Sequence, residues 1–201
     1  MAKIKAIAFD CGHVILSRGW DDPVFEKFCK EIGISYREAS KIFWKRYDGG
    51  LKFGRGSEDD FFKELLKKTS KKLKLKDVKR LYYKKIHKKP AFSLVKKLYK
   101  KYPLYTLNDE AREWMNYRIK KFRLKKYFKA FITSAFVGYA KPDRRIFRIM
   151  LRKSDCKPQE VIFIDDNPKL VKAARRFGIN GIIFKNSKQM INDLRKFGVN
   201  V

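Results

Sequence analysis

Residues 1–10, MAKIKAIAFD, and residues 161–168, VIFIDDNP, are built alike. Each is a short apolar run that ends in aspartate: Ile4 to Phe9 leads into Asp10, and Val161 to Ile164 leads into Asp165 and Asp166. Apolar runs of this length without polar alternation have the pattern of strands buried on both faces, as in a parallel sheet. Similar runs recur at Leu104–Leu107, Phe131–Thr133 and Ile182–Phe184. Between the later ones lie amphipathic stretches of helical length, Arg112–Phe122, Arg144–Leu151 and Pro168–Phe177, the last closed by Gly178. Alternating strand and helix predicts an α/β fold, a parallel sheet flanked by helices.

Residues 16–88 read differently, because their apolar positions repeat at helical spacing with no strand-like alternation. They are predicted to form an all-helical insertion, leaving 1–15 and 89–201 as the α/β core. Asp22-Pro23 places a capping acid before a first-turn proline, with Gly33 at the far end, and Ser35 followed by Glu38 has the form of a capping box. A third helix is expected after Ser57, where Glu58, Asp59 and Asp60 suit the positive end of a helix dipole. The glycine-rich stretch Asp48–Gly56 is expected to be the loop between these helices.

The chain has 201 residues, 44% of them hydrophobic and 15% aromatic, enough apolar surface for a core despite a formal net charge of +30. Disorder and multi-domain architectures are excluded. No signal-peptide pattern or run of ~20 apolar residues is present, so a soluble, cytoplasmic protein without a membrane association is expected. Three cysteines, Cys11, Cys29 and Cys156, form no CxxC pair, which argues against a disulfide framework or a zinc cluster. The excess charge is concentrated: residues 63–101 hold 17 Lys or Arg against Glu64 and Asp77. Such a face raises the local concentration of anionic ligands and could hold nucleic acid nonspecifically, although no nucleic-acid motif accompanies it; a solvated lysine-rich face is the alternative.

In a parallel sheet the strand-end positions of Asp10 and of Asp165-Asp166 meet at one carboxyl edge, where ligand sites gather. Two or three carboxylates there suit a hard divalent cation such as Mg²⁺, which takes one or two carboxylates, several waters and substrate phosphate oxygens. Lys141, in GYAKPD, adds a positive charge.

Four segments in order, AFDCGHVIL (8–16), LYTLND (104–109), VGYAKPDRRIF (137–147) and VIFIDDNP (161–168), resemble the motifs of the haloacid dehalogenase superfamily of phosphohydrolases. The D-x-G-x-V form of the first is similar to that of some sugar-phosphate phosphatases of the superfamily. The resemblance implies a Rossmann-like core, with the helical insertion as a cap. It implies Asp10 as the nucleophile that forms an aspartyl-phosphate, Lys141 as a catalytic cation steadied by Asp165, and Mg²⁺ held by Asp10, the carbonyl of Gly12, Asp165 and Asp166. Cys11, Gly12, Asn108 and Asp109, with Lys141, are the implied substrate-binding positions.

Two departures fall within these motifs. Most phosphatases of the superfamily carry a general acid two residues after the nucleophile; here it is Gly12, which removes an acid–base contribution worth roughly 10²–10⁴ in rate. His13 could take over proton transfer or simply point away. Asn108 replaces the usual Ser or Thr, and its amide can donate to a phosphate oxygen or close an Asx turn. The activity these features imply is Mg²⁺-dependent hydrolysis of a small phosphorylated metabolite. The alternatives are a weakened relative whose basic surface binds a polyanion and, less favoured by the acid pair, a haloacid dehalogenase. The sequence leaves the oligomeric state open.

Overall fold

The computed structural model describes residues 2–20 and 23–201. Five parallel strands, β1 (Ala6–Phe9), β2 (Leu104–Asn108), β3 (Ala130–Thr133), β4 (Val161–Asp165) and β5 (Asn180–Ile183), form one sheet in the order β3-β2-β1-β4-β5. β1 is central: Phe9 lies opposite Thr106 of β2 and Ile164 of β4. Every residue of β1, β2 and β4 is buried, as their unbroken apolar runs require. The expected strands differ from the observed ones at their ends. β1 starts at Ala6 instead of Ile4, and β5 covers Asn180–Ile183 because its register sets Asn180 opposite Ile162.

Among the described residues, five helices run between β1 and β2: α1 (Val24–Ile32), α2 (Tyr36–Gly49), α3 (Glu58–Leu66), α4 (Leu75–Lys84) and α5 (Phe92–Leu98). Asp22 lies outside the described residues; Pro23 precedes α1, and Gly33 ends it in the left-handed region at φ +76°. Ser35 caps α2 by accepting the Glu38 amide, and Ser57 caps α3 by accepting that of Asp59. The expected Asp48–Gly56 loop is shorter than its composition indicates. α2 continues to Gly49, and Leu51–Phe53 form a 3-10 turn, so glycine falls at the helix end and the irregular chain is confined to a few residues. At the root of the segment Leu16 bridges Lys88 in antiparallel fashion, bringing both ends of the helical stretch to one place.

The remaining helices are α6 (Arg112–Lys121), α7 (Ser134–Val137), α8 (Arg144–Ser154), α9 (Pro168–Arg176) and α10 (Ser187–Lys196). Aromatic side chains join the inserted helices to the sheet layer. Trp114 of α6, fully buried, stacks on Phe43 and Tyr47 of α2 with ring centroids 5.8 and 6.4 Å away and near-parallel planes.

A buried ion pair reinforces this junction. Arg118 Nε of α6 lies 2.9 Å from Glu110 Oε2, both side chains nearly sealed from solvent, and Arg118 Nη1 donates to the Ser17 carbonyl at 2.7 Å. Removing one partner of such a pair strands the other in a low dielectric. Arg118→Met is therefore expected to lower the unfolding free energy by about 3–5 kcal/mol in urea titration. Adding Glu110→Leu should recover much of that loss, and an unshifted midpoint in the single variant would show the pair to be dispensable.

Candidate active site

Three strand ends deliver the acidic groups. Asp10 follows β1, and its amide donates to the Ile164 carbonyl of β4 at 2.8 Å, which fixes its position against Asp165. Asn108 and Asp109 end β2, and Asp165 and Asp166 end β4. Lys141 arrives from the loop between α7 and α8. Its Nζ is 2.6 Å from Asp10 Oδ1 and 2.6 Å from Asp165 Oδ2, and its own amide donates to Asp109 Oδ1 at 3.0 Å. The Lys141 and Asp165 side chains are each 1% exposed. Burial opposes the charge of Lys141, but the fields of Asp10, Asp165 and Asp109 outweigh it and hold the ammonium above the usual lysine range.

One ammonium faces three carboxylates, and the field of Arg18 also acts on Asp10. Burial pushes its carboxyl up to about 7; Lys141 counters this, while the nearby Asp165 adds to it. Burial likewise raises Asp109 against the pull of Lys141. Both oxygens of Asp165 are committed, Oδ2 to Lys141 and Oδ1 to the Asn167 amide at 2.8 Å.

Asp166 faces a different cation. Arg18 Nη2 lies 2.9 Å from its Oδ1, and the Arg18 side chain passes directly over Gly12. A Cβ on residue 12 would meet Arg18 Cγ at 2.6 Å and Nε at 2.7 Å. The glycine at residue 12 thus makes room for a guanidinium. The Gly12 carbonyl accepts the Val14 amide at 2.7 Å, one of its two lone pairs.

The other expected residues are placed as follows. Cys11 is buried, and burial raises its thiol far above the ordinary range, which keeps it protonated and unreactive. His13 takes a left-handed backbone conformation at φ +59° and lines a cavity with Arg18 and Trp20. Asn108 is buried at 2% exposure; its Nδ2 points at Met115 Sδ at 3.6 Å and its Oδ1 lies 3.4 Å from Thr133 Oγ1. Its amide is turned into the protein, so an anion would have to draw it outward. Among the described residues no three His, Cys, Asp or Glu groups are grouped as a preformed metal site. Sequence reasoning missed Arg18, Glu110 and Arg118. The visible hint was Gly12, whose missing side chain leaves space for another.

A parallel α/β sheet with a carboxylate at the end of its central strand, a buried lysine and an acid pair at its carboxyl edge defines a class of hydrolase cores. The family model described as haloacid dehalogenase-like hydrolase matches residues 51–184, and the chain belongs to that family. Among solved structures, a haloacid dehalogenase family enzyme of Bacteroides thetaiotaomicron superposes with a TM-score of 0.77 over 92% of this chain and 95% of that one, at 22% identity. The same enzyme in complex with magnesium and inorganic phosphate gives 0.76 over 90% and 94%, also at 22% identity. The chain is 33% identical over 88 residues to flavin mononucleotide hydrolase 1 of Arabidopsis thaliana, covering 44% of this chain and 36% of that protein. It is 34% identical over 73 residues to bifunctional epoxide hydrolase 2 of Sus scrofa, covering 36% of this chain and 13% of that protein. The chain thus spans well under half of either curated relative. Among the described residues no helix is long and apolar enough to cross a membrane.

The raised carboxyl of Asp10 sets a pH dependence for the metal-free chain. Between the unfolded carboxyl value of ~4 and the folded value of about 7, the native state holds a proton that the unfolded state has lost, so stability falls as pH rises. Asp10→Asn removes this loss. Its stability advantage over the parent in chemical denaturation without divalent metal is expected to grow from about pH 4 to about pH 7 and then level off; a difference independent of pH would refute the assignment.

Proposed function

We propose that this hydrolase is a Mg²⁺-dependent phosphatase that cleaves a small phosphorylated compound through an aspartyl-phosphate on Asp10. The observation that carries the reading is the position of Lys141 Nζ, 2.6 Å from both Asp10 and Asp165 in a buried site at the sheet edge. The donor set fits the metal: Asp10 follows the central strand, Asp166 follows the neighbouring β4, and Mg²⁺ needs only one or two carboxylates with water and phosphate oxygens completing its shell. Asp10, Asp166 and the free lone pair of the Gly12 carbonyl would hold it; Asp165 then acts on Lys141 and not on the metal. When bound, the ion neutralises charge on the phosphoryl oxygens and lowers the repulsion that an attacking carboxylate meets.

The protein groups do the rest. Lys141 holds Asp10 in place and offsets phosphate charge. An Asp10 oxygen bonds to phosphorus as the bond to the leaving oxygen breaks, and water then attacks the same phosphorus, returning the carboxylate and releasing inorganic phosphate. With glycine at residue 12, the leaving oxygen must take its proton from water. The inserted helices α1–α4 serve as a cap that shields the site from solvent. The similarity to a flavin mononucleotide hydrolase and to a structure holding magnesium and phosphate supports a phosphate ester as substrate.

A screen of phosphorylated metabolites with and without Mg²⁺ tests this reading. Turnover should need the metal and fall at least 10³-fold in Asp10→Asn; activity that survives the substitution rules out the nucleophile. Without a general acid, acyl and aryl phosphates are expected to turn over roughly 10²-fold faster than sugar phosphates of similar affinity. Equal rates for both classes would show that another group supplies the proton.

A further inference from the structure

Asp166, Arg18 and Trp20 form a chain of contacts that leads out of the acid cluster. Arg18 pairs with Asp166 at 2.9 Å, and its guanidinium carbon lies 5.2 Å from the centre of the Trp20 ring. Beyond Trp20 is a cavity of about 330 Å³, lined by His13, Arg18, Trp20, Tyr36, Ser40 and Trp44 among others. Its walls are rings in fixed relation: Trp20 meets Trp44 edge-on at 4.9 Å and Phe43 at 5.0 Å. Trp44 at 43% and Tyr36 at 37% exposure are the large apolar side chains most open to solvent among the described residues, and both line this cavity.

Scattered exposed apolar residues need no explanation. Two aromatic rings open to solvent at one cavity, which an arginine connects to the proposed catalytic acids, do. We infer that this cavity seats the non-phosphate part of the substrate and that this part carries a planar aromatic ring. The inference rests on the phosphatase reading and names the substrate class of the same site. The volume suffices, since an apolar cavity of about 150 Å³ already accepts benzene. The geometry favours a flat π-system over an aliphatic group of equal size, because ring edges and faces line the walls and Arg18 offers a planar cation beside them. Arg18 bridges the two halves of the site: it is within reach of the phosphate end through Asp166 and of the ring end through Trp20.

The test separates ring recognition from leaving-group chemistry by using phosphonates, which are not hydrolysed. Benzylphosphonate and cyclohexylmethylphosphonate are titrated calorimetrically into the full chain in Mg²⁺, with acetyl phosphate hydrolysis measured alongside. Benzylphosphonate is expected to bind about threefold to tenfold tighter than its saturated counterpart. Trp44→Ala should abolish that preference and Trp44→Phe should keep it. Equal affinities in the parent, a preference that survives Trp44→Ala, or no binding of either compound overturns the aromatic assignment. Loss of acetyl phosphate hydrolysis with the ring preference intact would instead overturn the phosphatase reading and leave the cavity's selectivity standing.

Discussion

Lys141 Nζ touches carboxylates from residues 131 and 24 positions away, and this ammonium determines what the rest of the site can be. Without it Asp10 and Asp165, both buried, and the partly buried Asp109 would be like charges with no common counter-ion, an arrangement that proteins avoid by neutralising one of the groups. With it two of the three are held at hydrogen-bond distance from a single Nζ, and the third accepts the backbone amide of the same residue. Burial still disfavours the charged form of Asp10, and a further cation at this sheet edge would favour its ionised form.

The inserted helices meet this edge through aromatic packing and one buried ion pair. Phe43, Tyr47 and Trp114 stack across the boundary between α2 and α6, and Arg118 ties Glu110, beside the β2 end, to the carbonyl of Ser17. Arg18 follows immediately, so the anchored backbone sets where its guanidinium begins. The 3-10 turn at Leu51–Phe53 is held just as closely: a Cβ on Gly54 would come within 2.3 Å of the Ala135 carbonyl, and that oxygen also accepts Arg112 Nη2. The helices therefore rest on the core at both sides of the site.

Much of this was legible in the sequence, because the information was local. A buried apolar run ending in aspartate identifies both the strand and the position of its acid, and that pattern located Asp10 and the Asp165-Asp166 pair. Ser35 was readable as a cap, and Ser57 as the residue before a helix, for the same reason: the groups that they bond lie three and two residues away. Arg18 was not legible: its partner is 148 positions distant, and one arginine in a chain with 51 basic residues gives no signal. Asn108 was readable as a strand end, but not its rotamer, which Met115 and Thr133 decide. The Asp48–Gly56 stretch misled because glycine content marks where a helix may stop, not how much chain becomes irregular.

The strand order also bears on how the chain is made. Phe9, directly before Asp10, pairs with Thr106 and with Ile164, so the central strand finds its second neighbour only about 155 residues later. At synthesis rates of about 5–20 residues per second, that interval is about 8–31 s, during which an apolar segment has one possible partner or none. Long-range parallel pairing is slow for the same topological reason. Residues 63–101, with their 17 Lys and Arg, are made within this interval, so that charge is in place before the central strand gains its second neighbour.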